Sequence, residues 1–240
     1  MTADDQRKAY LQAMGISLWQ AREGMLPEPP AAPLASAKTA IATADSLPVS
    51  SPLVSWSSLR EQVLGCTACA LSQSRTQAVF GVGDTQAQWM IIGEAPGRDE
   101  DLQGEPFVGA AGQLLNEMLF ALGLQREQVY IANILKCRPP NNRDPQPDEV
   151  LRCQGYLQQQ IQLLKPRVIL SVGRISAQHL LQTDTPVGKL RGRVHRVGEQ
   201  SIPLIVTYHP AYLLRSPLEK RRAWEDLCLA KSVAQENSIA

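Results

Sequence analysis

Four short runs of the chain are rich in apolar residues on both of their alternating faces: Trp89–Ile92, Val129–Ala132, Val168–Val172 and Leu204–Tyr208. A half-exposed strand would alternate apolar with polar, whereas runs apolar on both faces belong to strands covered on both sides, as in parallel sheets. Between and after them the apolar positions recur at helical spacing, over Ala110–Leu122, Asp148–Leu164, Ile175–Leu181 and Leu218–Ala234. Strands separated by helices predict an α/β fold, a three-layer α/β/α sandwich around a central parallel sheet. Ligands of such sheets bind outside the carboxyl ends of the strands. Here those ends read Gly93-Glu94-Ala95-Pro96-Gly97, Asn133-Ile134-Leu135-Lys136-Cys137, Gly173-Arg174-Ile175-Ser176 and His209-Pro210-Ala211-Tyr212. Glycine, acid, amide and imidazole groups are therefore expected on one rim.

The first quarter of the chain breaks this pattern. Residues 27–52 hold six of the 17 prolines and seven alanines with few large apolar residues, which predicts a disordered linker. Ahead of it, within residues 1–26, Tyr10, Leu11, Met14 and Leu18 fall at helical spacing and Trp19 follows, a short amphipathic helix that wants a partner. The remaining 53–240 suits one domain. No run of about 18 apolar residues occurs, and the N-terminus lacks the basic-then-apolar order of a signal peptide, so a cytoplasmic protein without a membrane span is expected. The 24 Lys and Arg against 23 Asp and Glu leave a net charge of +1, so any basic surface must come from local clustering. Three clusters qualify: Lys136, Arg138 and Arg143; Arg191, Arg193 and Arg196 around His195; and Arg215, Lys220, Arg221 and Arg222. Gathered near one rim, they would contact phosphates.

Five cysteines are an odd number, better read in a reducing compartment as metal or cluster ligands than as disulfides. Cys66 and Cys69 form a CxxC pair, and Cys137 and Cys153 stand apart in sequence. Zinc on four thiolates usually takes two close pairs, whereas iron-sulfur clusters accept wider spacings, so a 4Fe-4S cluster on Cys66, Cys69, Cys137 and Cys153 is favoured over a redox dithiol at the pair. Cys228, between two leucines of a helical segment, is expected in the core.

Each rim residue alone has an ordinary structural reading. Gly93 and Gly97 would suit a tight turn as well as a close backbone approach to a ligand. Phe107, in Gly104-Glu105-Pro106-Phe107-Val108-Gly109, could plug the core or stack on a ring. Asn133 could cap a turn or pair with a nucleobase edge, and a lone His209 could be structural. Taken together, Cys66-x2-Cys69, GEAPGRDED, GEPFVGAAG, YIANILKCRPPNNRDP, Cys153 and HPAYLLR resemble the family 4, iron-sulfur, uracil-DNA glycosylases over about residues 55–232. The resemblance implies their α/β/α fold, a 4Fe-4S cluster on the four cysteines, and excision of uracil from DNA after the nucleotide is flipped out of the stack, leaving an abasic site. It implies that Phe107 stacks on the base within a pocket formed with Gly93, Ala95 and Gly97. Asn133 then reads the base's polar edge, and His209 donates to the anion developing on uracil O2. Leu213 or Leu214 would wedge into the vacated stack, with Arg215, Arg191 and Arg193 at phosphates. Where family 1 has the aspartate and tyrosine of GQDPY, this chain has Ala95 and Gly97, so Glu94 becomes the candidate for positioning water, against a purely structural carboxylate accepting backbone N–H bonds.

The segment YLQAMGISLWQAR resembles the start of the psi subunit of the bacterial replicative polymerase, by which psi binds chi. Recruitment to a chi-like replication partner is therefore expected as readily as packing of this helix on its own domain. A replisome accessory subunit on a glycosylase fold is the alternative to the enzyme, a redox iron-sulfur protein a third reading; nothing in the sequence requires more than a monomer.

Overall fold

The computed structural model of the protein describes residues 55–236; the amphipathic segment 1–26 and the linker 27–52 lie outside the described residues. Its centre is a six-stranded sheet in the order β1-β3-β2-β4-β6-β5. The four inner strands, β3 (Tyr130–Asn133), β2 (Trp89–Gly93), β4 (Val168–Val172) and β6 (Ile202–Thr207), run parallel. This is the expected central parallel sheet, and it gains an antiparallel strand at each edge. There β1 (Val82–Gly83) pairs antiparallel with β3, and β5 (Val194–Val197) pairs antiparallel with β6. Edge strands need not be apolar on both faces, and β5 alternates between exposed and half-buried positions.

Alternation along the inner strands explains why both of their faces are apolar. Ile91, Ile131, Leu170 and Ile205 point to one side, against Leu115 and Leu119 of α4 (Ala110–Leu122) and Leu227 and Ala230 of α9 (Lys220–Glu236). Met90, Ile92, Ile169 and Leu204 point to the other, against Leu157 and Leu164 of α5 (Pro147–Leu164), Ala177 of α6 (Arg174–Leu181) and Leu190 of α7 (Val187–Leu190). α4 ends on Gly123, whose left-handed φ of 83° lets its N–H reach the Phe120 carbonyl. α5 starts with Pro147 at its first turn and a capping box between Gln146 and Glu149.

Further short helices surround this core: α1 (Trp56–Leu64) on the α5 face, α2 (Leu71–Ser74) after the CxxC pair, and α3 (Arg98–Gln103) after β2. Following β6 comes α8 (Pro210–Arg215), and the expected helix from Leu218 instead begins with a 3-10 turn over Pro217–Glu219 before α9. Cys228 is exposed rather than in the core, because one helical step of about 100° separates it from buried Leu227. Among the described residues no helix is long and apolar enough to cross a membrane.

Candidate active site

The carboxyl ends of the inner strands open into a cleft of about 710 Å3 lined by Glu94, Ala95, Pro96, Gly97, Glu100, Phe107, Asn133, Arg143, Arg174, Tyr208, His209, Tyr212 and Arg215, among others. Glu94, Phe107, Asn133 and His209 thus meet in one place, drawn from four separate segments. Gly93 ends β2 directly behind them. A Cβ added there would come within 2.4 Å of Asn133 Oδ1 and 2.7 Å of Phe107 Cζ, so only glycine lets the amide and the ring close on each other.

Phe107 is 6% exposed and holds a left-handed φ of 56°, a conformation that costs a residue bearing Cβ on the order of 1 kcal/mol or more. The neighbouring backbone is held by Glu100, which accepts from the N–H groups of Val108 at 3.2 Å and Gly109 at 3.4 Å through one carboxylate oxygen. Gly112 of α4 closes the loop from behind, for a Cβ there would lie 1.8 Å from the Phe107 carbonyl oxygen. Because that obstacle is backbone, Gly112→Ala is expected to destabilise the fold by about 1–3 kcal/mol in chemical denaturation; an unchanged midpoint would mean that the loop yields freely. Asp101, in the same acidic run as Glu100, is buried and ties α3 to the 76–77 backbone, accepting from Thr76 N–H at 2.9 and 3.0 Å.

Asn133 is buried, and its Oδ1 has no hydrogen-bond partner among the described residues. A buried unpaired amide oxygen facing a cleft is an acceptor waiting for a ligand N–H. The imidazole of His209 stacks near the Phe107 ring, with centroids 5.6 Å apart and planes 29° from parallel. Its Nδ1 accepts from Ala211 N–H at 3.1 Å, capping α8, which leaves the proton on Nε2 in the neutral ring. Burial, with Arg215 adding to it, lowers His209 to about 4, so the ring is a neutral donor at physiological pH. Glu94 is pushed the other way, up to about 7, by burial first and by Asp144 second, against the pull of Arg174. Its carboxylate has no hydrogen bond among the described residues; the carboxylate that accepts from backbone N–H groups is that of Glu100.

Several expected contact residues lie elsewhere. Leu213 is 1% exposed and packs in the core, while Leu214, one helical step on, is 45% exposed; only Leu214 of the pair is free to enter a base stack. Beyond it Leu218 is 93% exposed, a protruding side chain the sequence reading passed over as the start of a helix. Arg191 is not a free cation. Its guanidinium pairs with buried Asp226 at 3.0 Å and with Glu225 at 3.3 Å, and it lies over the Tyr208 ring. Arg193 is exposed but donates to the Lys189 carbonyl, and Arg215 is exposed at the cleft. Lys136 is buried and so leaves the basic surface, while Arg143 lines the cleft with its guanidinium on both oxygens of Glu149. Arg221 and Arg222 pair with Glu225 and Glu219.

The four cysteines are brought to one corner beside the cleft. Cys137 and Cys153 are buried with Leu71 and Leu135, Cys69 and Ala95 pack against them, and Cys66 is near enough to act electrostatically on both buried sulfurs. Arg75 donates from Nη1 to Cys137 Sγ at 2.8 Å and from Nη2 to the carbonyls of Leu64 and Cys66. Among the described residues no group of three or more His, Cys, Asp and Glu side chains is arranged to hold a metal ion.

The cleft suits a planar ring laid against Phe107, with an N–H for Asn133 Oδ1 and a carbonyl able to carry negative charge near His209. Residues 80–229 match the model of the uracil DNA glycosylase superfamily. The chain is 48% identical over 162 residues to a protein of Archaeoglobus fulgidus named type-4 uracil-DNA glycosylase, covering 65% of this chain and 81% of that one. Proteins of the same name from Sulfurisphaera tokodaii and Thermotoga maritima are 43% and 42% identical, over 73% and 72% of this chain and 83% and 91% of theirs.

Proposed function

Because the chain belongs to the uracil DNA glycosylase superfamily, and type-4 relatives at 40–48% identity make it a uracil-DNA glycosylase, a repair hydrolase of N-glycosyl bonds, we propose how its own residues perform that reaction. Uracil is flipped into the cleft and stacks on Phe107, and its N3–H donates to Asn133 Oδ1 while the amide NH2 donates to O4. The C1′–N1 bond breaks with its electron pair leaving on uracil, whose negative charge gathers on O2. Neutral His209 donates Nε2–H to that oxygen without giving up its proton, which is electrostatic stabilisation of the departing anion. The sugar is left with positive charge, which the Glu94 carboxylate faces. Water adds its oxygen to C1′, and Glu94 takes the proton that the new C1′–OH group releases. Uracil departs as its anion and is protonated at N1 from solvent, while Glu94 returns the proton it gained to solvent, so the products are uracil and an abasic site.

Leu214 is the side chain for the vacated stack, and Arg215, exposed at the cleft, is the cation for a phosphate. We also infer that Cys66, Cys69, Cys137 and Cys153 hold a 4Fe-4S cluster. The donor chemistry fits: the soft sulfurs of Cys69, Cys137 and Cys153 share one corner, Cys66 is near enough to act on the two buried ones, and an arginine donates directly to one of them. Burial raises the Cys153 thiol to about 11, so a metal centre is what would deprotonate it. Such a cluster supplies a cross-link between the CxxC loop, the segment after β3 and α5; it supplies no atom to the hydrolysis.

The unpartnered Asn133 Oδ1 carries the base assignment. The test is excision from uracil-containing single-stranded and duplex oligonucleotides, scored as alkali-cleavable sites. Asn133→Ala should lose about 10- to 100-fold in kcat/KM, the loss of one or two well-made polar contacts in a dry site. Equal excision by wild type and variant would remove Asn133 from base reading.

A further inference from the structure

We infer that Lys136 is a positioning residue that joins the four-cysteine centre to the base-reading Asn133 and, with Arg75, balances the charge of that centre. The inference rests on the cluster proposed above.

After Asn133 the chain continues alongside the end of β2, with Ile134 N–H on the Gly93 carbonyl and Leu135 N–H on the Glu94 carbonyl. This keeps the segment extended and turns the next residue inward. Lys136 is 1% exposed, and its Nζ donates to the Asn133 carbonyl at 2.7 Å and to Gln160 Oε1 at 2.7 Å. Gln160, itself fully buried, is fixed in turn by the Phe80 carbonyl and the Tyr130 hydroxyl. Both acceptors of the ammonium are neutral, and no ion pair of Lys136 occurs among the described residues. A buried cation with only neutral partners is costly and calls for a counter-charge. The ionisable groups acting on it are Cys153 and Cys137, and its own backbone N–H donates to Cys153 Sγ at 3.3 Å.

The charges then add up. Four thiolates around a cluster in its common resting oxidation state carry two net negative charges, and two cations act on that corner: Arg75, which donates to Cys137, and the Lys136 ammonium, whose main chain donates to Cys153 and on which Cys153 and Cys137 act electrostatically. The same lysine holds the main chain of Asn133. A single residue therefore connects the state of the cluster to the placement of the amide that meets uracil, a link over three positions of chain that gives a centre outside the reaction an influence on base recognition.

The full chain, purified without oxygen, tests this through iron and sulfide content, decay of the cluster's visible absorption under a chelator, and inhibition by free uracil alongside kcat and KM. Lys136→Met should speed cluster decay about tenfold and weaken uracil inhibition about tenfold, with kcat at saturating DNA changed far less, since a lost buried partner is worth about that factor. A folded Lys136→Met protein with either readout unchanged overturns the inference. Should that variant fail to fold, Gln160→Glu decides: a new carboxylate draws the ammonium's charge away from the sulfurs, so decay should accelerate, and an unaltered decay overturns the inference. Wild type that excises uracil without containing iron or sulfide would overturn the cluster reading as well; iron-loaded wild type with an indifferent Lys136→Met overturns the linkage alone.

Discussion

Replacing His209 by alanine should lower kcat by about 10²- to 10³-fold while KM moves little, the loss expected when one pre-aimed donor to a developing oxyanion is removed. The geometry favours a donor over an acid. Nδ1 is already occupied as an acceptor by Ala211 N–H, so the remaining proton is on Nε2. Burial lowers the ring to about 4, so it is neutral over the working range. Had it been charged it would bind the uracil anion more tightly but would also give up its proton to it. Because burial depresses the folded pKa below 6.5, no step in the rate should trace to His209 above about pH 5. The cap on α8 is lost with the same substitution, at about 1 kcal/mol, too small to explain the rate by unfolding. A kcat within a few-fold of wild type, measured in single turnover, would mean that some other group stabilises the leaving anion.

The second large effect is expected at Glu94. As the group that takes the water's proton it must be ionised, and its carboxyl is raised to about 7, mainly by burial. The kcat/KM of wild type should therefore climb as pH rises through about 7 and level off above it. Glu94→Gln should lose about 10²-fold on the plateau and lose the pH step with it. Stability runs the opposite way. A carboxyl whose folded pKa exceeds its unfolded value favours the native state while protonated, fully below about 4.5, and that favour is lost as pH rises through about 7. Glu94→Gln should consequently melt higher than wild type at pH 8, with the gap shrinking toward pH 5. A variant that keeps the acid limb would show that another group titrates there, and one that keeps full activity would reduce Glu94 to a lining residue.

The inner layers of the fold were legible because burial on both faces demands apolar residues at consecutive positions, as in Met90, Ile91 and Ile92. The edges were not, since β1 has only two residues and the VHRV of β5 alternates in exposure. The convergence of Glu94, Asn133 and His209 followed from strand ends alone, and Phe107 joined them by resemblance. What stayed hidden depends on distant partners. Lys136 and Arg191 read as surface cations because Gln160 and Asp226, which bury them, are 24 and 35 positions away. Leu213 and Leu214 could not be told apart before the axis of α8 was known, and the left-handed backbone of Phe107 is imposed by Glu100 and Gly112 rather than by any local preference of phenylalanine.

The two antiparallel margins of the sheet have a consequence for behaviour at high local concentration. A parallel sheet cut off at β3 and β6 would present long apolar strands with unpaired amides, a template for another chain to add to. Here one margin is the two-residue strand Val82–Gly83, with a second glycine, Gly81, just ahead of it, and the other carries His195 and Arg196 in its middle. Neither offers a stretch worth extending. Molecules crowded along one stretch of damaged DNA thus have little means of zipping together through their sheets.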